Sequence, residues 1–153
     1  MSLTVRPAIE GDCDAWIAMR QALWPDEESG QQLADDARRF FTRPSERVFL
    51  TEIFVADLGG TLVGMLELSL RSIADGCSTS PVPYIEGWFV AESERRRGIG
   101  SALVRAAEAW AREHGFTEIA SDVLIENRIS EQAHKALGFE EVDRVVSFRK
   151  SLA

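Results

Sequence analysis

Three features of this chain predict a single mixed α/β domain. Apolar runs of strand length alternate with stretches of helical spacing along all 153 residues. A Gly59-Gly60 pair between two such runs marks a tight hairpin. Further on, the apolar run Tyr84 to Val90 leads through a basic turn with two glycines into a strongly helical stretch.

In order, Thr4 to Ala8 is a short strand, broken by Glu10-Gly11-Asp12. Asp12 or Asp14 caps a helix carrying Trp16, Ile17, Met19, Leu23 and Trp24, and Pro25 stops it. After the acidic connector Asp26 to Ser29, Ser29 is placed to cap a second helix running to about Phe41. Phe49 to Asp57 and Leu62 to Leu70 are strands, and Asp75 to Pro83 is a loop. The strand to Val90 and the helix Ala102 to His114 follow, with Gly115 as a left-handed cap. Thr117 to Leu124 reads as a strand, Ile129 to Leu137 as a helix, and Phe139 to Arg149 as a final strand or hairpin. The order is β-αα-βββ-α-β-α-β, an α/β fold on a mixed sheet, with no repeat or linker to divide residues 1–153.

Composition narrows the function. Seventeen basic against 25 acidic residues give a net charge of −8, which disfavours a general nucleic-acid binder. The acidity suits a cationic ligand, and it equally serves solubility. No apolar stretch approaches the roughly 20 residues that span a bilayer, and the N-terminus lacks the apolar core of a secretion signal. Cys13 and Cys77 are too few and too isolated for a disulfide framework or a zinc site, and neither has a paired base in sequence reach. A cytoplasmic protein without a metal is expected.

The most informative segment is Arg95-Arg96-Arg97-Gly98-Ile99-Gly100-Ser101. Glycines let consecutive N–H groups turn into one cavity, the helix N-terminus adds roughly half a positive charge, and the arginines add full ones. This is a seat for a pyrophosphate. The spacing is neither that of a P-loop, since no lysine follows, nor the dinucleotide G-x-G-x-x-G.

Arg95-x-x-Gly98-x-Gly100 after a strand resembles the acyl-CoA loop of the GCN5-related N-acetyltransferases (GNAT), and the element order is also theirs. Asn127, His134 and Leu137-Gly138-Phe139 resemble the family's second signature, with histidine where a tyrosine is usual. The resemblance implies acetyl-CoA as co-substrate, lying in a wedge between the fourth and fifth strands. Its pantetheine arm would bond the backbone of Trp88, Phe89 and Val90, its pyrophosphate would meet Arg95 to Ser101, and Asn127 would bond the pantetheine or the sulfur centre.

Further segments narrow the acceptor: Leu23-Trp24-Pro25-Asp26, Thr79-Ser80-Pro81-Val82, Ile85-Glu86-Gly87, Ala120-Ser121-Asp122, Asn127-Arg128-Ile129-Ser130 and Asp143-Arg144-Val145-Val146. Together they are similar to the aminoglycoside 6'-N-acetyltransferases. An aminoglycoside is a polycation, so its pocket should offer carboxylates and an aromatic wall. Glu86, inside an apolar strand, must face a cleft or meet a cation: either it joins Asp122 in orienting and deprotonating the acceptor amine, or it forms a salt bridge to a local arginine. Asp122, at a strand end, either takes the proton of the attacking amine or caps a turn. Trp24 either walls a sugar or belongs to the core. Asp143 either reaches the far amino groups, across a dimer interface, or is a solvated charge. Ile73 stands where some relatives place an aromatic contact. His134 either protonates the departing thiolate or is structural. The same chemistry on a polyamine, a peptide N-terminus or a lysine is the alternative, and a CoA-binding module without turnover the rival of another class. The resemblance also implies a homodimer, through pairing or swapping of Val142 to Lys150.

Overall fold

The computed structural model describes residues 1–25, 30–47 and 49–153. A sheet in the order β1 (Leu3–Pro7), β2 (Leu50–Leu58), β3 (Thr61–Arg71), β4 (Val82–Val90) and β5 (Ala120–Ser121) forms the middle layer. The first four strands are antiparallel neighbours, and β5 joins β4 in parallel. Helices α1 (Cys13–Leu23) and α2 (Gly30–Thr42) cover one face, and α3 (Ile99–Glu113) covers the other. A fourth helix, α4 (Arg128–Ala136), follows β5.

Strand alternation explains the two cores. Met65 joins Trp16, Ile17 and Phe40 beneath α1 and α2, while its neighbour Leu66 joins Leu103, Val104 and Ala107 beneath α3. Gly59 and Gly60, at φ 62° and 94°, make the hairpin turn between β2 and β3, where both central residues need positive φ. Gly115 adopts φ 82°, its N–H donates to Arg112, and that of Phe116 donates to Ala111, closing α3 as expected.

One irregularity divides the faces of β4. Glu67 pairs with Gly87 but Leu68 pairs with Ile85, so Glu86 is an extra residue, a β-bulge in β4. Tyr84, Glu86 and Gly87 consequently all meet side chains of the α1 face, whereas Ile85 and Trp88 pack on the α3 side.

Three expectations are corrected. The strand expected over Thr117 to Leu124 is reduced to Ala120–Ser121, because β4 and β5 diverge after two residue pairs. The final strand expected over Phe139 to Arg149 does not form. No described strand of this chain pairs with that segment, and Val145, Val146 and Phe148 are exposed. Asp12 precedes α1 but does not cap it, since its carboxylate accepts from Arg6 and the Ile9 N–H instead. Ser29, the expected cap of α2, lies outside the described residues.

Candidate active site

The wedge is built by that divergence. Tyr84 pairs with Ala120 and Ile85 with Ser121, and from Glu86 to Val90 the β4 edge has no strand partner among the described residues. At its far end the chain turns into α3. Gly98, at φ 80°, is the residue before the helix, and the first intrahelical bond runs from Ala102 N–H to the Gly98 carbonyl at 3.0 Å. The amides of Ile99, Gly100 and Ser101 therefore have no acceptor within the helix and point from its positive end.

Gly100 has a packing reason. A Cβ there would stand 3.1 Å from the Trp88 ring, whose Nε1–H donates to the Gly100 carbonyl at 3.2 Å. The arginines divide their tasks. Arg95 donates Nε–H to the Val90 carbonyl at 2.9 Å, Arg97 pairs with Glu94, and Arg96 adopts φ 63°, within the turn. The cradle thus rests on the backbone of residues 98–101, with Arg95 fastening it to β4.

On the α1 face a line of polar side chains crosses β3 and β4. Glu86 accepts from Ser69 Oγ at 2.7 Å and from Arg71 Nε and Nη2 at 2.7 and 2.8 Å. The carboxylate inside an apolar strand has therefore met a local arginine, the structural alternative of the two expected. The Arg71 guanidinium also lies 3.7 Å from the centroid of the Tyr84 ring. The Tyr84 hydroxyl in turn donates to Asp122 Oδ2 at 2.7 Å. Burial and that carboxylate push the Tyr84 phenol well above its ordinary range, so it stays a donor. Asp122 is exposed and accepts no backbone N–H among the described residues, so it is not a turn cap.

Trp24, half-buried just beyond α1, closes this face: its ring edge would lie 3.0 Å from a Cβ on Gly87. Arg20 stands 5.5 Å from the ring centroids of both Trp16 and Trp24. It is held by Glu67, whose Oε1 lies 2.8 Å from Arg20 Nε and accepts the Trp16 indole N–H at 2.8 Å. The Arg20 Nε–H is not aligned for a hydrogen bond, so that contact is an ion pair. Burial pushes the Glu67 carboxyl up, against the opposing pull of Arg20 and the indole.

His134 faces the other side of the wedge. Nδ1 donates to the Ser130 carbonyl at 2.7 Å and Nε2 meets Ser121 Oγ at 2.8 Å, while the ring stands edge-on to Trp88 and Phe139. Because a carbonyl only accepts, Nδ1 carries a proton. Asn127 Oδ1 accepts from Ser130 N–H at 3.1 Å as the cap of α4, which leaves its amide donors without a described protein partner. Two expected residues stand apart. Ile73 is exposed in the loop after β3, and Asp143 lies in the exposed tail, accepting only the Arg144 N–H among the described residues.

Sequence reasoning missed Arg71, Ser69, Tyr84, Glu67 and Arg20. Glu67 carried the same signal as Glu86, a carboxylate inside an apolar strand run. Tyr84 was hidden as one more β-forming aromatic. Burial also pushes the Cys13 and Cys77 thiols up, away from nucleophilic character. Among the described residues no cluster of metal-ligating side chains exists, and no helix is long and apolar enough to cross a membrane.

A splayed β4/β5 pair, an amide cradle opening a helix and a carboxylate-bearing face together define an acyl-CoA-dependent N-acyltransferase site. Residues 16–139 match the acetyltransferase (GNAT) family, and the chain belongs to that family. It is 44% identical to an aminoglycoside N(6')-acetyltransferase type 1 of Klebsiella aerogenes, covering 97% of this chain and 96% of the relative. Identity to the protein of that name from Stenotrophomonas maltophilia is 41%, over 97% and 94%. The fold superposes with a TM-score of 0.87 on AAC(6')-Iy in complex with the bisubstrate analogue CoA-S-monomethyl-acetylneamine, at 33% identity and 99% coverage of both chains. For AAC(6')-Ih of Acinetobacter baumannii the TM-score is 0.85, at 36% identity, over 99% and 100%.

Proposed function

We propose that residues 1–153 act as one domain that transfers acetyl from acetyl-CoA to the 6'-amine of an aminoglycoside, and that this confers resistance to the antibiotic. The observation that carries the reading is the free N-terminal turn of α3 beside the unpaired edge of β4, with Trp24, Glu86 and Asp122 on the acceptor side. The first part suits a pyrophosphate and an amide-rich arm, and the second suits a polycation.

In this mechanism pantetheine adds to the backbone of Trp88, Phe89 and Val90 while Asn127 donates to it. Asp122 takes a proton from the substrate ammonium, directly or through one water. The freed amine attacks the thioester carbonyl, and a backbone N–H near Phe89 stabilises the oxyanion. As the C–S bond breaks, the second proton of the attached nitrogen passes through Ser121 and His134 Nε2 to the departing thiolate, leaving the neutral amide and the CoA thiol. Glu86 orients the acceptor from its pair with Arg71; Trp24 and Ile73 wall the pocket and Asp143 reaches its distal amines. The enzyme works in the cytoplasm as a homodimer, in which the tail from Val142 to Lys150 finds on a second copy the strand partner it lacks.

The test is a thiol-release assay with acetyl-CoA and a panel of amines. Kanamycin-like and tobramycin-like acceptors should turn over fastest. Faster turnover of a polyamine, a peptide N-terminus or a lysine reassigns the acceptor, and CoA binding without release of thiol from any amine overturns the enzyme reading.

A further inference from the structure

Tyr84 is the one tyrosine of this chain, and with Ala120 it forms the first of the two residue pairs that join β4 to β5. Two residues beyond its partner Ala120 is Asp122, at the point where the strands part. The phenol ring is held on several sides. It shares a buried cluster with Ala74 and Val82, against which Cys77 and Ala120 pack, and the Arg71 guanidinium lies 3.7 Å from its centroid. Arg71 itself is fixed by its two hydrogen bonds to Glu86. The hydroxyl therefore projects from an immobilised ring, and it donates to Asp122 Oδ2 at 2.7 Å.

Asp122 has no comparable support of its own. It is exposed, and among the described residues Tyr84 is its only hydrogen-bond donor. An unsupported aspartate at a strand end samples several rotamers, which scatters the direction of its lone pairs. A charge-assisted bond from a fixed donor removes that freedom.

We propose that Tyr84 is a positioning residue. By engaging Oδ2 of Asp122, it aims Oδ1 into the mouth of the wedge as the oxygen that receives the acceptor's proton. This rests on the reading of Asp122 as the proton acceptor. Orientation of this kind acts on the chemical step and leaves donor binding untouched. Arg71 extends the arrangement, since one guanidinium fixes both Glu86 and the ring that fixes Asp122.

Tyr84→Phe keeps the ring and removes only the hydroxyl. In the full chain, with acetyl-CoA and a kanamycin-like acceptor, it should lower kcat about tenfold while KM for acetyl-CoA stays at the wild-type value. In an Asp122→Asn background it should cost nothing further, because the group it positions is gone. Wild-type kcat in Asp122→Asn overturns the reading of Asp122 itself. A damaged Asp122→Asn beside a fully active Tyr84→Phe, or an equal loss from Tyr84→Phe in both backgrounds, overturns the positioning role alone. A second readout needs no activity. With isotopically labelled tyrosine the single ring signal should shift in Asp122→Asn, and an unmoved signal overturns the contact.

Discussion

Trp16 and Glu67, separated by 51 positions, meet at 2.8 Å through the indole N–H and a carboxylate that is 1% exposed. Arg20 completes the cluster, so a charge pair sits between α1 and the sheet directly behind Trp24. Glu67→Ala leaves the Arg20 cation buried without its counter-ion. Loss of one partner of a buried pair costs about 3–5 kcal/mol, and denaturant unfolding should register it. A loss below about 1 kcal/mol would show that water or a rotamer change rescues Arg20.

Glu86 predicts a different outcome. Its partners Ser69 and Arg71 lie on the neighbouring strand, and its side chain is 10% exposed. Glu86→Gln keeps the shape but weakens both the pair with Arg71 and the attraction to an ammonium. KM for the acceptor should rise about tenfold, with a smaller change in kcat. A kcat loss without any KM effect would move Glu86 from orientation to proton transfer.

Gly98 tests the cradle. Nothing stands within 4 Å of a Cβ there, so Gly98→Ala meets no steric obstacle, only the strain of φ 80°. That strain is about 1–2 kcal/mol, and it is relieved by twisting the amides proposed to seat the pyrophosphate. KM for acetyl-CoA should rise while acceptor KM holds. Tight binding of acetyl-CoA by Gly98→Ala would place the pyrophosphate elsewhere.

How much of the fold and the site was legible in the chain depends on how local each signal was. The glycine turn, the hairpin at Gly59-Gly60 and the cap at Gly115 are set within a few residues, and all formed as read. Glu86 announced that it needed a partner, but the identity of that partner, Arg71, depends on the register between β3 and β4. The contact of Tyr84 with Asp122 spans 38 positions and exists only because β4 and β5 run parallel there. The tail from Phe139 to Arg149 shows the limit most clearly. Its composition favours a strand, yet a strand needs a neighbour, and composition says nothing of which chain provides one.

That tail yields its own prediction. Phe148 is 92% exposed, so Phe148→Asp should leave the fold of one chain unaffected. If the tail docks on a second copy, equilibrium sedimentation should give twice the 17.0 kDa chain mass for the wild type and the single mass for the variant. A wild type that sediments as the single chain removes the dimer.

Acid should act at Asp12. The Arg6 guanidinium, aided by the Ile9 N–H and opposed by burial, holds this carboxyl below the usual carboxylate range. A depressed folded value stabilises above the unfolded value near 4 and is lost as pH falls through the folded one. Asp12→Asn should therefore be less stable than the wild type at neutral pH by about 1 kcal/mol, since Arg6 is partly solvated. The difference should close as pH drops below about 4. A constant difference across that range would assign it to packing.

The bulge at Glu86 changes the parity of β4. Under strict alternation Tyr84, Glu86 and Trp88 would share one face, and Trp88 could not reach Gly100. The inserted residue lets a single strand turn Trp88 toward α3 while Tyr84 and Glu86 face the α1 side. On the proposed mechanism, the acceptor side and the donor side of this strand are thereby mechanically insulated. On the same mechanism, substitutions on the α1 side retune which amine is accepted while the β4 edge beside α3 keeps its geometry.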